Sequence, residues 1–233
     1  MNNNTATTDI LTGNKLKLIA LVAMTIDHIG AILLPDCIFL RVIGRLAFPI
    51  FAFSIAQGCR YTKNRKKYFG KIFLVGLLCQ VMYYIADQSL GMCIMITFSL
   101  SVLLIYAMDN MLKNRSVGTC FTLVLTFIGI YFVSEILPGE LSDVEFFIDY
   151  GFWGIITPAI IYHGKTKEQQ ILLTAVALCL VATTNGILQW YSLFALVPIM
   201  MYNGKRGNAN IKNLFYIYYP LHLAVIHLIS SFI

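Results

Sequence analysis

Long apolar runs recur along the whole chain, separated by short polar connections. A helix that crosses a membrane needs about 20 mostly apolar residues. Runs of about this length, or somewhat shorter, cover 15–34, 38–59, 69–86, 91–111, 117–138, 150–163, 170–186, 190–203 and 213–233. The sixth and eighth contain Pro158 and Pro198, so we expect them to be tilted, broken or re-entrant. The pattern predicts an all-α, polytopic transmembrane helical bundle of about nine spans, forming one integral membrane domain over residues 1–233 with a polar stretch at 1–14.

The composition supports a membrane protein and excludes several other classes. Hydrophobic residues make up 58% of the chain and charged residues 12%, compared with about 45–50% and about 25% in soluble domains. An ordinary soluble enzyme, a disordered chain and a nucleic-acid-binding domain are therefore excluded. The six cysteines form no C-x-x-C pair and no cluster with histidine, so we expect neither a disulfide framework nor a metal site.

The positions of the basic residues predict the orientation of the chain. Fifteen of the 17 Lys and Arg residues lie in alternate connections, the richest of which is 60–71. The intervening connections have none, and the 139–149 connection carries four acidic residues. Since basic connections remain in the cytoplasm, we expect the N-terminus there and the C-terminus outside. The predicted location is the cytoplasmic (inner) membrane, as a multi-pass protein.

Ionisable residues inside the predicted spans are the first functional candidates, because charges in a membrane are costly and usually face a cavity or the bundle interior. They are Asp27 and His28 in span one, Arg41 and Arg45 in span two, and His222 and His227 in span nine. At a rise of about 1.5 Å per residue, His28 and Arg45 both lie roughly 10 Å from the outer surface. Neighbouring antiparallel spans bring them to one level, and Arg41 lies one helical turn from Arg45.

Asp27 and His28 are expected to play different parts, because adjacent helical residues diverge by about 100°. We expect Asp27 to pair with Arg45 and His28 to face a cavity. Alternatively, these groups form only a structural network, since buried charges need partners in any case. A neutral histidine can act as a general base, and an arginine can stabilise an oxyanion. These residue types suit acyl transfer and proton-coupled transport equally.

Five segments of the chain resemble a known family of membrane proteins. They are LKLIALVAMTIDHIGAILLP at 16–35, LRVIGRLAFPIFAFSIAQG at 40–58, YTKNRKKYF at 61–69, YNGKRG at 202–207 and FYIYYPLHL at 215–223. The family is TraX, known as the membrane protein that N-acetylates the pilin of conjugative F-type pili. It is similar to a broader group of membrane acyltransferases that draw acyl groups from acyl-CoA in the cytoplasm. Between these ends, the middle of the chain, from about 90 to 190, matches only in hydropathy.

The resemblance implies roles for individual residues and an acyltransferase-3-like bundle. The implied catalytic residues are His28 as the base, Asp27 beside it, Arg45 as a core polar partner and His222 as the second histidine. One position departs from the family, because Gln57 precedes Gly58 where an acidic residue is expected. A role that the carboxylate has in relatives therefore does not carry over to Gln57, and we expect Gln57 to line the substrate cavity.

The resemblance also implies acetyl-CoA as the acyl donor, without a metal. Coenzyme A carries phosphates, for which Arg and Lys are suitable partners. The candidate cofactor-binding residues are Lys205, Arg206, Arg41 and Lys63. Basic connections of this kind also occur in most membrane proteins and can contact anionic lipid headgroups.

The expected function is an integral membrane acetyltransferase that transfers acetyl from acetyl-CoA to an amine or hydroxyl of a peptide, a pilin or a glycan. The alternatives are a small proton-coupled transporter or flippase that uses the same residues as a relay, and a structural membrane subunit. The expected partners are the lipid bilayer, acetyl-CoA and the peptide or glycan acceptor, with no nucleic acid. The lack of visible internal repeats disfavours the transporter, and the acceptor stays open.

Overall fold

Helices make up almost all of the regular structure in the computed structural model, which describes residues 10–208 and 212–232. The helices are α1 (Gly13–Ile32), α2 (Ile38–Gly44), α3 (Ala47–Tyr61), α4 (Arg65–Asp87), α5 (Ile94–Asn114), α6 (Val117–Tyr131), α7 (Leu137–Glu140), α8 (Gly151–His163), α9 (Lys167–Thr184), α10 (Leu196–Met200) and α11 (Lys212–Ser230). A π-helix at Phe132–Ile136 joins α6 to α7, and 3-10 helices cover Ser142–Val144 and Ile187–Ala195. The described residues contain no strand, which agrees with the predicted all-α class. Residues 1–9 of the predicted polar N-terminal stretch lie outside them.

Four helical segments in the described residues are long and apolar enough to cross a membrane. They are Ile38–Tyr61, which contains α2 and α3, Arg65–Ile85, Ile94–Asn114 and Val117–Glu140. These segments correspond to the second to fifth predicted spans. The chain is therefore a multi-pass membrane protein.

The other predicted spans coincide with shorter or more polar helices. α1 has 20 residues and carries Lys15, Lys17 and Asp27, and α9 has 18 residues. α8 has only 13 residues and contains Pro158. The region predicted as the eighth span, 190–203, is not one regular helix, because it begins within a 3-10 helix and continues into the five-residue α10. The structure thus shows a helical membrane bundle without resolving nine regular spans.

Polar caps begin four helices, and all four caps lie in the predicted basic connections. The capping residues are Thr12, Asn64, Ser116 and Thr166. Their side-chain oxygens accept hydrogen bonds from backbone N–H groups that a helix leaves unpaired in its first turn. We use the name basic end for the end of the bundle at which α1, α4, α6 and α9 begin.

α3 occupies the centre of the bundle and contacts α1, α5 and α8. Its side chains Phe48, Ile50 and Phe53 are almost fully buried, as are Phe98 of α5 and Ile155 of α8. α6 packs mainly on α5 and leaves most of its apolar surface outside the bundle. The buried aromatic and aliphatic side chains fix α3 against its neighbours.

The junction between α2 and α3 turns the chain at Arg45 and Leu46. Pro49 lies in the first turn of α3. Backbone N–H groups there have no partner within the helix, so the N–H that proline lacks costs no helical hydrogen bond. Gly44 packs directly against the Asp27 side chain, and a Cβ at position 44 would overlap with that side chain. The glycine therefore lets α2 approach α1 closely, and Arg45 lies where it can meet Asp27.

Candidate active site

Two histidines from opposite ends of the sequence meet between α1 and α11. The Nε2 of His222 lies 3.2 Å from the Nδ1 of His28, and the two rings pack edge to face with centroids 4.9 Å apart. A second link joins the same helices, because the hydroxyls of Thr25 and Tyr218 are 2.7 Å apart. The Tyr218 ring also stacks on His222. The histidine pair is thus held by contacts on both helices.

The backbone partners of the two histidines determine which ring nitrogens carry protons. The Nδ1 of His28 lies 2.8 Å from the carbonyl oxygen of Met24, and the Nδ1 of His222 lies 3.0 Å from that of Tyr218. Because a carbonyl oxygen only accepts, these contacts fit the tautomer in which each Nδ1 carries the proton. In that tautomer the single Nδ1–H of His28 is shared between the Met24 carbonyl and His222 Nε2, and the Nε2 of neutral His28 has no proton. That nitrogen is the basic atom of the pair.

A carboxylate next to His28 binds two arginines of α2 and its C-terminal junction. Arg45 Nη2 lies 3.0 and 3.2 Å from the two carboxylate oxygens of Asp27, and Arg41 Nη1 lies 2.9 Å from Asp27 Oδ2. Arg41 also donates to the backbone carbonyl of Asp27 at 3.0 Å. The predicted Asp27–Arg45 pair is present, and Arg41 joins it. One carboxylate thus holds two guanidinium groups in place.

The 3-10 helix supplies a further partner to this cluster. Gln189 is fully buried, and its Oε1 accepts a hydrogen bond of 3.3 Å from Arg45 Nη1. Arg45 Nε donates to the backbone carbonyl of Arg41. The donors of Arg45 are therefore divided among Asp27, Gln189 and its own helix, which fixes the plane of the guanidinium group.

Beside the histidine pair lies a cavity of about 500 Å³, which we name the histidine cavity. Its acidic, basic and histidine lining residues are Asp27, His28, Arg41, Arg45, Asp149 and His227. Asp149 lies in the connection before α8, and burial raises the pKa of its carboxyl to about 7, a shift that Arg45 opposes. Tyr150 also lines the cavity and stacks on Phe48. The cavity combines a base, two guanidinium groups and a carboxyl with a raised pKa.

A second cavity lies among α1, α3, α4, α5 and α11 and is named here the basic-end cavity. Its polar and charged lining comes from Asn14, Lys17, Ser54, Tyr68 and Arg206, together with Tyr216 and Tyr219, and the rest is largely apolar. A neighbouring pocket at the basic end shares Lys17 and Arg206 with it. Lys17 Nζ lies 5.4 Å from the ring centroid of Phe215, close enough for a cation–π contact. Two cations therefore border a mainly apolar cavity.

The 203–207 loop is held against the start of α1. The N–H of Asn14 donates to the carbonyl of Arg206 at 2.9 Å. Gly207 has a φ of 94°, in the left-handed region that favours glycine. This turn brings the Arg206 side chain to the basic-end cavity, whereas the side chain of Lys205 is exposed and is not part of its lining.

The two cavities adjoin at three side chains. Phe51, Ile94 and Tyr219 line both of them, and no other described residue does. We name these three residues the wall. Tyr219 is almost fully buried, and its ring packs edge to face on His222 with centroids 5.5 Å apart. The wall thus separates the cations of the basic-end cavity from the base of the histidine cavity.

Comparison with known proteins identifies the family. The TraX family model, described as TraX protein, matches residues 12–230. The chain belongs to the TraX family. This TraX chain is 26% identical over 246 residues to a "Probable fimbrial assembly protein FimC, serogroup H1" of Dichelobacter nodosus, a match that covers 91% of this chain and 93% of the relative.

A second relative of this TraX chain is an uncharacterized protein of Rickettsia prowazekii (strain Madrid E). The two are 30% identical over 190 residues, which cover 81% of this chain and 68% of the relative. No solved structure matches the chain significantly.

The site residues predicted for this TraX chain fall into two groups. His28 pairs with His222 and Asp27 pairs with Arg45, and Asp27, His28 and Arg45 line the same cavity. The four cofactor-binding candidates do not come together. Arg41 binds Asp27. Asp27 is 13 residues along α1 from Asn14, which lines the basic-end cavity, so Asp27 and Asn14 lie about 20 Å apart. Lys63 is exposed, so Arg206 alone of the four lines the basic-end cavity.

Four residues of the TraX cavities and arginine cluster are not among the predicted site residues: Lys17, Asp149, Tyr150 and Gln189. Lys17 resembles any positive residue at the cytoplasmic end of a span. Asp149 is one of several acids in one connection, and only the fold selects it. Gln189 does carry a signal, because a glutamine within an apolar run needs a hydrogen-bond partner.

The position at which this TraX chain departs from the expected pattern is structural. Gln57 Nε2 donates to Gln170 Oε1 at 2.5 Å and so links α3 to α9. Gln57 also lines the pocket next to the basic-end cavity. Gly58, the next residue, leaves room for the Tyr68 hydroxyl, which a Cβ would displace. The pair Gln57–Gly58 therefore shapes the basic-end side of the bundle.

Proposed function

We propose that this TraX protein is a membrane-bound acetyltransferase that moves acetyl from acetyl-CoA to an amine or hydroxyl of an acceptor. The observation that carries the proposal is the position of His28. Its proton-free Nε2 belongs to a side chain that lines a cavity with two arginines. A neutral imidazole beside fixed donors suits proton abstraction coupled to oxyanion stabilisation.

The proposed reaction begins when His28 Nε2 removes a proton from the acceptor as its nitrogen or oxygen attacks the thioester carbonyl. The carbon–sulfur bond breaks, coenzyme A leaves as the thiolate, and the proton held by His28 passes to the sulfur. His222 accepts the Nδ1–H of His28 and keeps the ring in the required tautomer. Arg41 and Arg45 stand at the same cavity and can stabilise the developing oxyanion.

The basic-end cavity supports acetyl-CoA as the donor. Lys17 and Arg206 suit the phosphates of coenzyme A, and the apolar lining of this cavity of about 170 Å³ suits the methylene groups and thioester at the narrow end of the carrier. A wall residue, Tyr219, contacts His222, so the acyl end of a donor at the wall would lie next to the histidine pair. In this proposal Lys17 binds the phosphates of coenzyme A together with Arg206. Arg41, Lys63 and Lys205, which were also predicted from the sequence, do not take part.

The topology we propose for the inner membrane puts the basic end in the cytoplasm and the 139–149 connection outside. The distribution of basic residues supports it. A 3-10 helix rises about 2.0 Å per residue and an α-helix about 1.5 Å, so residues 187–200 reach about 25 Å. That reach supports nine crossings in an acyltransferase-3-like bundle. The histidine cavity then faces the outer side.

The acceptor we propose is a pilin or another fimbrial subunit at the outer side. The support is the relative named as a probable fimbrial assembly protein, which aligns over 91% of this chain. A glycan hydroxyl is the other acceptor that the same chemistry can serve. Alkaline hydroxylamine distinguishes the two products, because it cleaves acetyl esters and leaves acetyl amides intact.

A proton-coupled transporter is the second candidate function. The observation that favours it is the pair of cavities that meet at the wall, with ionisable groups on one side. Intramembrane histidines and carboxylates, such as those of the histidine cavity, also suit a proton relay. A transporter moves its substrate unchanged, whereas the proposed enzyme leaves a covalent acetyl group.

The test is a comparison of acetylated surface proteins and glycans in cells that lack the gene and in complemented cells. Complementation uses the wild type, His28→Ala and His163→Ala. His163 is a matched control, because its Nδ1 also bonds the carbonyl four residues earlier, at 2.8 Å, and it lines neither of the two cavities. Acetylation that returns with the wild type and His163→Ala, but not with His28→Ala, supports the proposal. Identical acetylation in all strains contradicts it.

A further inference from the structure

The wall lies where a donor's acyl group must stop. The cations Lys17 and Arg206 belong to one cavity and the base His28 to the other. On the proposed function, the phosphates of the donor lie with the cations, and the carbonyl carbon lies within reach of an acceptor activated by His28. The alkyl part of the acyl group therefore occupies the space between the wall side chains.

Tyr219 is the wall residue that is held most firmly, because it is almost fully buried and contacts His222. Ile94 is half-buried and is the first residue of α5. Close-packed interiors resist insertion of extra methylene groups. A small acyl group fits at such a wall, whereas a longer one must displace an aromatic ring.

We propose that Phe51, Ile94 and Tyr219 set the upper limit on the length of the acyl group that the protein accepts. This inference rests on the proposed function and adds to it the residues that determine donor specificity. Phe51 is the most informative of the three, because it has no contact with the histidine pair comparable to that of Tyr219. Its truncation enlarges the space at the wall and leaves the cations and the base in place.

The experiment measures binding, so it needs no acceptor. Tritiated acetyl-CoA is bound to the full-length protein purified in detergent, and propionyl-, butyryl- and hexanoyl-CoA compete with it. Free coenzyme A is the ligand control, since it has no acyl group to meet the wall. Phe121→Ala is the matched protein control, because Phe121 is an exposed ring on α6 that lines neither cavity.

For the wild type we expect affinity to fall about 10-fold or more between acetyl- and butyryl-CoA, within the range that one or two methylene groups produce in a closed pocket. Phe51→Ala should reverse this order and gain about fourfold for each methylene that enters the new space. Free coenzyme A should bind both proteins equally, and Phe121→Ala should match the wild type. Ile94→Ala is the second variant, should Phe51→Ala not remain monodisperse.

Two results separate the failure of this inference from the failure of the proposed function. If the wild type binds acetyl-CoA but every soluble wall variant keeps the wild-type order of acyl lengths, the wall does not select the acyl group. If the wild type binds none of the acyl-CoA series, the donor itself is wrong and both proposals fall.

Discussion

The Nδ1 of His28 lies 3.2 Å from the Nε2 of His222, so two side chains 194 residues apart in the chain form one hydrogen-bonded pair. Each ring also donates from Nδ1 to a carbonyl on its own helix. The pair therefore has a defined direction, with the basic Nε2 on His28. In the proposed reaction, this direction makes His28 the base and His222 the residue that positions it.

The first prediction concerns His222. Replacement by Ala removes the acceptor for His28 Nδ1 and should lower kcat by part of the roughly 10²–10⁴-fold that a general base contributes, with little change in KM for acetyl-CoA. His222→Gln should recover part of the activity, because its amide oxygen can accept the same proton. Steady-state kinetics on both variants provide the check. Equal activity of His222→Ala and His222→Gln would remove the positioning role.

The second prediction concerns the carboxylate that holds two arginines. Asp27→Ala leaves Arg41 and Arg45 unpaired at membrane depth and should lower stability towards the lower end of the roughly 3–5 kcal/mol that breaking a buried pair costs. Adding Arg45→Leu should restore only part of the folded protein, because Arg41 stays unpaired. Thermal unfolding followed by gel filtration in detergent measures the effect. Full recovery in the double variant would show that Arg41 does not depend on Asp27.

The third prediction concerns the donor phosphates. Lys17→Ala combined with Arg206→Ala should raise KM for acetyl-CoA about 10-fold, since two cation–phosphate contacts are lost, and should leave the affinity for the acceptor unchanged. Lys113→Ala is the control, because Lys113 is an exposed residue in the last turn of α5. An unchanged KM in a correctly folded double variant would exclude the basic-end cavity as the donor site.

The fourth prediction concerns pH and Asp149. An unfolded aspartate titrates near a pKa of about 3.9, whereas burial raises the pKa of Asp149 to about 7. Between these values the folded chain holds more protons than the unfolded chain, so stability falls as pH rises through the window. Asp149→Asn should remove the part of this pH-dependent loss of stability that comes from the Asp149 carboxyl. Melting temperatures at pH 5, 6, 7 and 8 would show parallel curves for both proteins if the carboxyl were not buried.

The fifth prediction concerns orientation. Lys63 and Asp143 are both exposed, and the proposed topology puts them on opposite sides of the membrane. In a variant without native cysteines, a membrane-impermeant maleimide applied to intact cells should label Asp143→Cys and not Lys63→Cys. Lys63→Cys should react only after the membrane is permeabilised. Labelling of Lys63→Cys in intact cells would reverse the orientation.

The sequence allowed local and neighbouring contacts to be predicted better than distant ones. The Asp27–Arg45 pair follows from the helical rise and from a short connection that forces α1 and α2 to be neighbours. The contact between His28 and His222 depends on how α11 packs on α1, which no local pattern determines. No local pattern distinguishes Lys17 or Asp149 either, because each resembles the other charged residues at the ends of predicted spans.

The predicted eighth span shows a second kind of limit. Hydropathy identifies 190–203 as apolar, but hydropathy does not distinguish a 3-10 helix from an α-helix. Gln189 lies just before this run in the same 3-10 helix, and its side chain reaches Arg45. A polar residue beside an apolar run thus makes a contact whose partner only the fold identifies.

The measurement that tests the central claim most directly is acetyl transfer by the purified protein in detergent. Radiolabelled acetyl-CoA is supplied with the outer-surface protein fraction of cells that lack the gene, and wild type is compared with His28→Ala and His163→Ala. We expect label in the acceptor fraction, with release of coenzyme A, for the wild type and His163→Ala. For His28→Ala we expect a loss of about 10²–10⁴-fold with acetyl-CoA binding retained. Transfer by His28→Ala at the wild-type rate would exclude His28 as the base.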